Sequence, residues 1–269
     1  VSSVAPVLEA ARAEGRAALI GYLPVGFPDH DSSIAAMVAM VESGVDIVEI
    51  GVPYSDPLMD GPVIQHAVEA ALAGGARTKH AVDATEAVAK AGASSLLMSY
   101  WNLVDQYGVP RLAADLAAAG GSGLITPDLI PEEAGEWIAA SDQHGLDRVF
   151  LVAPSSTDGR LAMTVAACRG FVYVASTMGV TGVRSQVNDA AEVLIRRTRA
   201  VTDLPLCVGL GVSNAEQAAQ VAGFADGVIV GSAFVRALAD AASPAEGVRA
   251  VGALAASLAE GVRSAPVSS

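Results

Sequence analysis

Eight short apolar runs alternate with eight Ala-rich stretches of helical spacing, and together they predict an α/β fold: a (β/α)8 TIM barrel with an extra N-terminal helix and an extra C-terminal helix. Three observations carry this. The runs are apolar without polar alternation, as in parallel strands covered on both faces. Their number and spacing fit eight strand–helix units into roughly 250 residues, the usual size of such a barrel. No G-x-G-x-x-G follows the first run, so the competing doubly wound open sheet lacks its main support.

The elements follow in order. Val4, Val7, Leu8 and Ala11 have helical apolar spacing and predict a helix ahead of the first strand. Strands are expected at residues 18–23, 47–50, 95–100, 123–126, 148–153, 171–176, 204–210 and 227–230. Helices are expected between them, at 32–43, 62–73, 80–91, 110–119, 131–144, 156–168, 189–201 and 214–222. A last helical region, from about 232 to 262, closes the chain. No Pro/Ser-rich linker, composition shift or sequence repeat interrupts this order, so residues 1–269 are expected to form one domain.

Composition narrows the function. The chain has 269 residues, 52% hydrophobic and 17% charged, enough for one large core. A net charge of -13 argues against nucleic acid, because neutralising phosphates takes Lys and Arg; an acidic cytoplasmic enzyme is expected. Cys168 and Cys207 each lie in an apolar segment and read as small core residues, not a disulfide framework. The uncharged runs 91–104 and 170–183 contain Gly and Ser and fall short of the ~18 apolar residues of a membrane span. The N-terminus has no basic leader, so no signal peptide is expected; its start at Val1 suggests trimming.

In such a barrel, function gathers where strands end and loops begin. Glu49 lies at the end of the second run, and Asp60 follows eleven positions later in a loop stiffened by Gly51, Pro53 and Pro57. A carboxylate in an apolar strand is costly unless it has a task or a partner. One reading is a general acid–base glutamate with an aspartate that orients or stabilises a cationic substrate. A structural ion pair or capped loop acids is the other. Tyr100, Asp128 and Tyr173, at or near later strand ends, are expected at the same mouth.

Two glycine clusters stand late in the chain, Gly209-Leu210-Gly211-Val212-Ser213 and Gly231-Ser232, with Ser232 expected as a helix N-cap. Both follow strands, as in a phosphate cradle built on backbone N–H groups, although tight turns also call for glycine. The polar segment 177–186 reads as a lid or as a plain surface loop; as a lid, its Thr181 would hydrogen-bond a carboxylate. His30, His66, His80 and His144 lack metal-ligand spacing. The two lysines, Lys79 and Lys90, fall within or beside a helical stretch, and no G-x-S-x-G occurs. Carbon–carbon cleavage here would therefore rest on acid–base chemistry alone.

The segment from Val48 to Gly61 resembles the signature of the tryptophan synthase α subunit family. Further stretches resemble the same family in matching order: Met98-Ser99-Tyr100-Trp101-Asn102, Thr126-Pro127-Asp128-Leu129-Ile130-Pro131-Glu132-Glu133, Gly179-Val180-Thr181-Gly182 and both glycine clusters. The resemblance implies retro-aldol cleavage of indole-3-glycerol phosphate to indole and glyceraldehyde 3-phosphate. It makes Glu49 the acid–base residue and Asp60 the acceptor of the indole N–H. Tyr22, Met98, Tyr100, Ile125, Tyr173 and Thr181 would contact the substrate. Gly182, Leu210, Gly211, Gly231 and Ser232 would hold its phosphate. The resemblance also implies a β subunit carrying pyridoxal phosphate in an αββα complex, with no cofactor in this chain. Pro53, Asp56 and Asn102 are the interface candidates, and Pro53-Tyr54 reads as an apolar pair on an exposed loop. Met59, Tyr54 and Leu210 depart from common family residues and affect the expected pocket shape. A stand-alone indole-releasing lyase, a phosphate-binding barrel isomerase and a non-catalytic activating subunit are the alternatives.

Overall fold

The computed structural model describes residues 3–176, 184–209 and 211–265. Its strands are β1 (Ala18–Pro24), β2 (Ile47–Gly51), β3 (Ser94–Met98), β4 (Gly123–Ile125), β5 (Asp147–Val149), β6 (Leu151–Val152), β7 (Val172–Ala175), β8 (Leu206–Gly209) and β9 (Gly227–Val230). All neighbours pair in parallel, in the order β5-β4-β3-β2-β1-β9-β8-β7-β6. The two ends of that order are one stave, because β5 and β6 are separated only by Phe150. The Phe150 carbonyl accepts the Tyr173 N–H at 3.2 Å, and Arg148 and Arg169 exchange backbone bonds at 3.1 and 2.8 Å. Nine strand segments thus make the eight staves expected from eight runs, closed into a barrel.

Among the described residues, twelve helices accompany the staves. They are α1 (Ala5–Ala13), α2 (His30–Glu42), α3 (Pro62–Ala73), α4 (Thr78–Lys90), α5 (Trp101–Tyr107) and α6 (Val109–Ala118) in the first half. In the second half are α7 (Gly135–His144), α8 (Asp158–Ala167), α9 (Arg184–Arg199), α10 (Ala215–Ala222), α11 (Ser232–Ala239) and α12 (Pro244–Ser264). Side-chain caps explain several starts: Asp29, Thr157, Asn214 and Ser243 each accept a backbone N–H from the first turn of α2, α8, α10 and α12. The sequence reading differs at several places: residues 184–186, read with the polar segment 177–186, open α9, and the run 148–153 divides into β5 and β6. Helix α5 was not expected. Residues 131–144 divide into a 3-10 turn (Pro131–Glu133) and α7. The closing helical region divides into α11 and α12, where the Ser243 cap and Pro244 start a new helix.

Side chains alternate between the two faces of each stave. Ile20, Ile47, Leu96, Ile125, Val149, Cys207 and Ile229 fill the barrel interior together with Val4, Leu8 and Ala11 from the α1 region, which closes one end as a floor. The buried Asp147 fastens that floor: its carboxylate accepts the Val4 N–H at 2.8 Å and the Ser3 hydroxyl at 3.0 Å. Outward-facing Leu19, Leu23, Val48 and Ile50 pack under the helices with Met37, Met40, Trp137 and Phe234. Both cysteines are buried and free, as expected of small core residues. Among the described residues no helix is long and apolar enough to cross a membrane.

Candidate active site

The register sets the site. Ile47, Glu49 and Gly51 share one face of β2, and Ile47 belongs to the barrel interior, so Glu49 points into the lumen one layer nearer the mouth. Glu49 is fully buried, and among the described residues neither carboxylate oxygen has a hydrogen-bond partner. Burial alone pushes its pKa up to about 8. The carboxyl is therefore protonated in neutral solution and titrates just above it, the range in which a group can both give and take a proton. The reading of Glu49 as half of a structural ion pair has no support among the described residues.

Tyr22 lies opposite Glu49 in the β1–β2 register. Its ring needs two glycines: a Cβ on Gly51 would run into the Tyr22 phenol, and one on Gly231 would come within 3.2 Å of the ring. Tyr173 is seated the same way, its hydroxyl 2.7 Å from where a Cβ on Gly209 would stand. The sequence reading gave Gly51 the task of shaping the loop. It is instead a strand residue whose bare Cα makes room for a tyrosine.

A cavity of about 390 Å³ opens above Glu49. Tyr22, Ile64, Met98, Leu151, Tyr173 and Ile229 give it apolar walls, and Glu49, Asp60, Gly209, Gly211, Gly231 and Ser232 also line it. Asp60 is half-buried, which raises its pKa. A crevice of about 20 Å³ adjoins, lined by Tyr22, Val52, Met59, Asp60, Tyr100 and Pro127 among others. Among the described lining residues there is no Lys, Arg or His. The β9–α11 turn supplies N–H groups instead: α11 begins at Ser232 after its N-cap Gly231, which makes no side-chain cap, and the first amides of a helix lack intrahelical partners. Gly211 (φ 68°) takes a left-handed conformation that glycine adopts without strain. The cavity thus brings the acids of the β2 region together with anion-favouring helix amides.

Most of the sequence-derived residues meet here. Glu49, Asp60, Tyr22, Met98, Tyr173, Gly211, Gly231 and Ser232 line the cavity, and Tyr100 lines the crevice. Others stand elsewhere. Ile125 is in the packed interior beside Met98. Asp128 caps α5, its carboxylate accepting the Trp101 N–H at 2.9 and 3.1 Å. Ser232 is the first residue of α11 and not its N-cap, which is Gly231. Pro53 is buried and Tyr54 half-buried, so they are not an exposed apolar pair; Leu58 and Met59 are the exposed apolar residues of that loop. Asp56 and Asn102 are exposed. Thr181, Gly182 and Leu210 lie outside the described residues. Ile64, Leu151, Pro154 and Ile229 went unnoticed in the sequence, although Leu151 and Ile229 fall in runs whose inward parity would have selected them.

A closed parallel barrel whose cavity at the strand ends is lined by two carboxyls and by a helix N-terminus has the form of a barrel enzyme, with its candidate site at the C-terminal mouth. Comparison with known proteins narrows the class. Residues 8–263 match the family model described as tryptophan synthase alpha chain. The tryptophan synthase alpha chain of Mycobacterium avium is 62% identical over 262 residues, covering 97% of this chain and 95% of that one. The Salinispora arenicola protein of the same name is 61% identical, covering 98% of both chains. A structure of Mycobacterium tuberculosis tryptophan synthase superposes with a TM-score of 0.91 at 60% identity, covering 98% of this chain and 99% of that one. The chain belongs to the tryptophan synthase alpha chain family, which places it in tryptophan biosynthesis with a lyase role.

Proposed function

We propose that this chain cleaves indole-3-glycerol phosphate to indole and glyceraldehyde 3-phosphate by the two acids of the β2 region. The observation that carries the reading is Glu49, a fully buried carboxyl without a partner among the described residues, in an apolar-walled cavity that the N-terminus of α11 also lines. The phosphate sits at the N-terminus of α11 and at Gly211, where backbone amides favour an anion. Tyr22, Ile64, Met98, Leu151, Tyr173 and Ile229 enclose the apolar ring. Protonated Glu49 delivers its proton to indole C3, and positive charge develops on the ring nitrogen. Asp60, its carboxylate held in the wall, accepts the N–H and stabilises that charge where little water competes. The Glu49 carboxylate then takes the glycerol hydroxyl proton as the carbon–carbon bond breaks and its electrons return to the ring. Glu49 ends protonated, ready for another turn.

Indole then passes to a pyridoxal-phosphate β subunit in an αββα complex, in the cytoplasm, with Asp56 and Asn102 on the facing surface. The chain acts as one barrel domain and needs no cofactor of its own. The test is indole release from indole-3-glycerol phosphate, with and without that β subunit. Slow release alone and strong acceleration with the partner are expected. Glu49→Gln should lose cleavage by at least about 10²–10⁴-fold while keeping the fold. Near-normal cleavage by Glu49→Gln overturns the mechanism; fast release indifferent to the partner identifies a stand-alone lyase.

A further inference from the structure

Asp60 ends a loop that has little apolar anchorage. The two residues before it, Leu58 and Met59, are 80% and 55% exposed, so their side chains contribute little packing. The backbone is nevertheless tied on both sides of Asp60. Upstream, the Tyr100 hydroxyl oxygen accepts the Leu58 N–H at 3.1 Å and the Met59 N–H at 3.0 Å. Downstream, Gln65 in the first turns of α3 donates from its side-chain amide to the Asp60 carbonyl at 2.7 Å.

Tyr100 is itself well placed to serve as an anchor. It is the N-cap of α5, and the next N–H, that of Trp101, is held by Asp128. Its carbonyl accepts the Ser99 hydroxyl at 3.1 Å, and its ring packs 5.1 Å from that of Tyr54. A phenol oxygen has two lone pairs. Both are taken by loop amides, which leaves none to accept a ring N–H from a substrate.

We infer that Tyr100 and Gln65 are positioning residues that clamp the main chain on either side of Asp60 and so fix where its carboxylate stands. This rests on the proposed role of Asp60 and assigns Tyr100 a task different from substrate contact. Misplacing a catalytic group by about an ångström costs up to about 10²-fold in rate.

The test compares Tyr100→Phe and Gln65→Met in the complex with the β chain, each alone and combined with Asp60→Asn. Each single variant should lower kcat for indole release at least about tenfold, with KM for indole-3-glycerol phosphate held within about twofold, and should add little in the Asp60→Asn background. Amide exchange at Leu58 and Met59 should quicken in Tyr100→Phe. A raised KM with kcat retained would make Tyr100 a binding residue and overturn the clamp, as would losses that multiply with Asp60→Asn. If Tyr100→Phe fails to fold, Gln65→Met, at an exposed position, carries the same comparison. Should Asp60→Asn itself keep kcat, the role of Asp60 fails; should it abolish cleavage while both clamp variants retain it, only the clamp fails.

Discussion

Glu49 couples chemistry to stability. A carboxyl whose folded-state pKa is raised, here from 4.5 to about 8, binds its proton more tightly folded than unfolded. Stability is then lost as pH rises from the unfolded to the folded value, at about 1.4 kcal/mol per pH unit for one proton. The neutral amide of Glu49→Gln has no such term. Urea midpoints should therefore favour that variant over the parent at pH 8 more than at pH 5, and a constant difference would show that the carboxyl is not protonated in the folded chain. The same titration sets activity. In the proposed mechanism protonated Glu49 starts the reaction, so kcat/KM should fall above about pH 8; a profile flat through that range would remove Glu49 as the initiating acid. Sequence made Glu49 visible because a carboxylate in an apolar run is conspicuous, and Asp60 because it follows in a loop stiffened by Pro and Gly. It did not reveal that Glu49 is without a partner among the described residues, a property of the space around it.

Elements were legible where a single stretch carried its own signal. The runs marked the staves and the acids marked the second strand exit, because inward and outward packing leaves an apolar record in each strand. Helix α5 escaped because it is seven residues long and its start is capped from another loop, by Asp128. Ser232 was misjudged by one residue because Gly231, directly after β9, takes the N-cap position itself. The floor was legible only as a helix, since its fastening is made across the chain, between Asp147 and Ser3 and Val4. Burial raises the pKa of Asp147 although these bonds favour its charged form. Asp147→Ala should destabilise the fold by about 2–3 kcal/mol, by losing bonds to a buried carboxylate. Indole release by the folded fraction should change little. Denaturation and rate measured on one preparation would separate the two, and an unaltered midpoint would mean that α1 is held by packing alone.

At the scale of the molecule, the loop after β2 turns two ways. Asp60 faces the cavity, while Asp56 is exposed and bonded through its side chain to the neighbouring Ser55 hydroxyl at 2.6 Å. Asp56→Ala should therefore reduce acceleration by the β chain more than it changes KM for indole-3-glycerol phosphate without it. Equal loss of both would mean that the loop itself has collapsed. Pro53 is a poorer probe of the partner than the sequence implied, because its burial ties any substitution to local packing.

The floor built by Val4, Leu8 and Ala11 has a consequence for traffic. A barrel stoppered at its base is a room with its door at the other end. Among the described residues the base is filled, so whatever forms beside Glu49 has the mouth, where the loop after β2 stands, as its way out. A partner seated over that doorway would need no pump to collect the product. Blocking the way back would be enough to turn random departure into delivery.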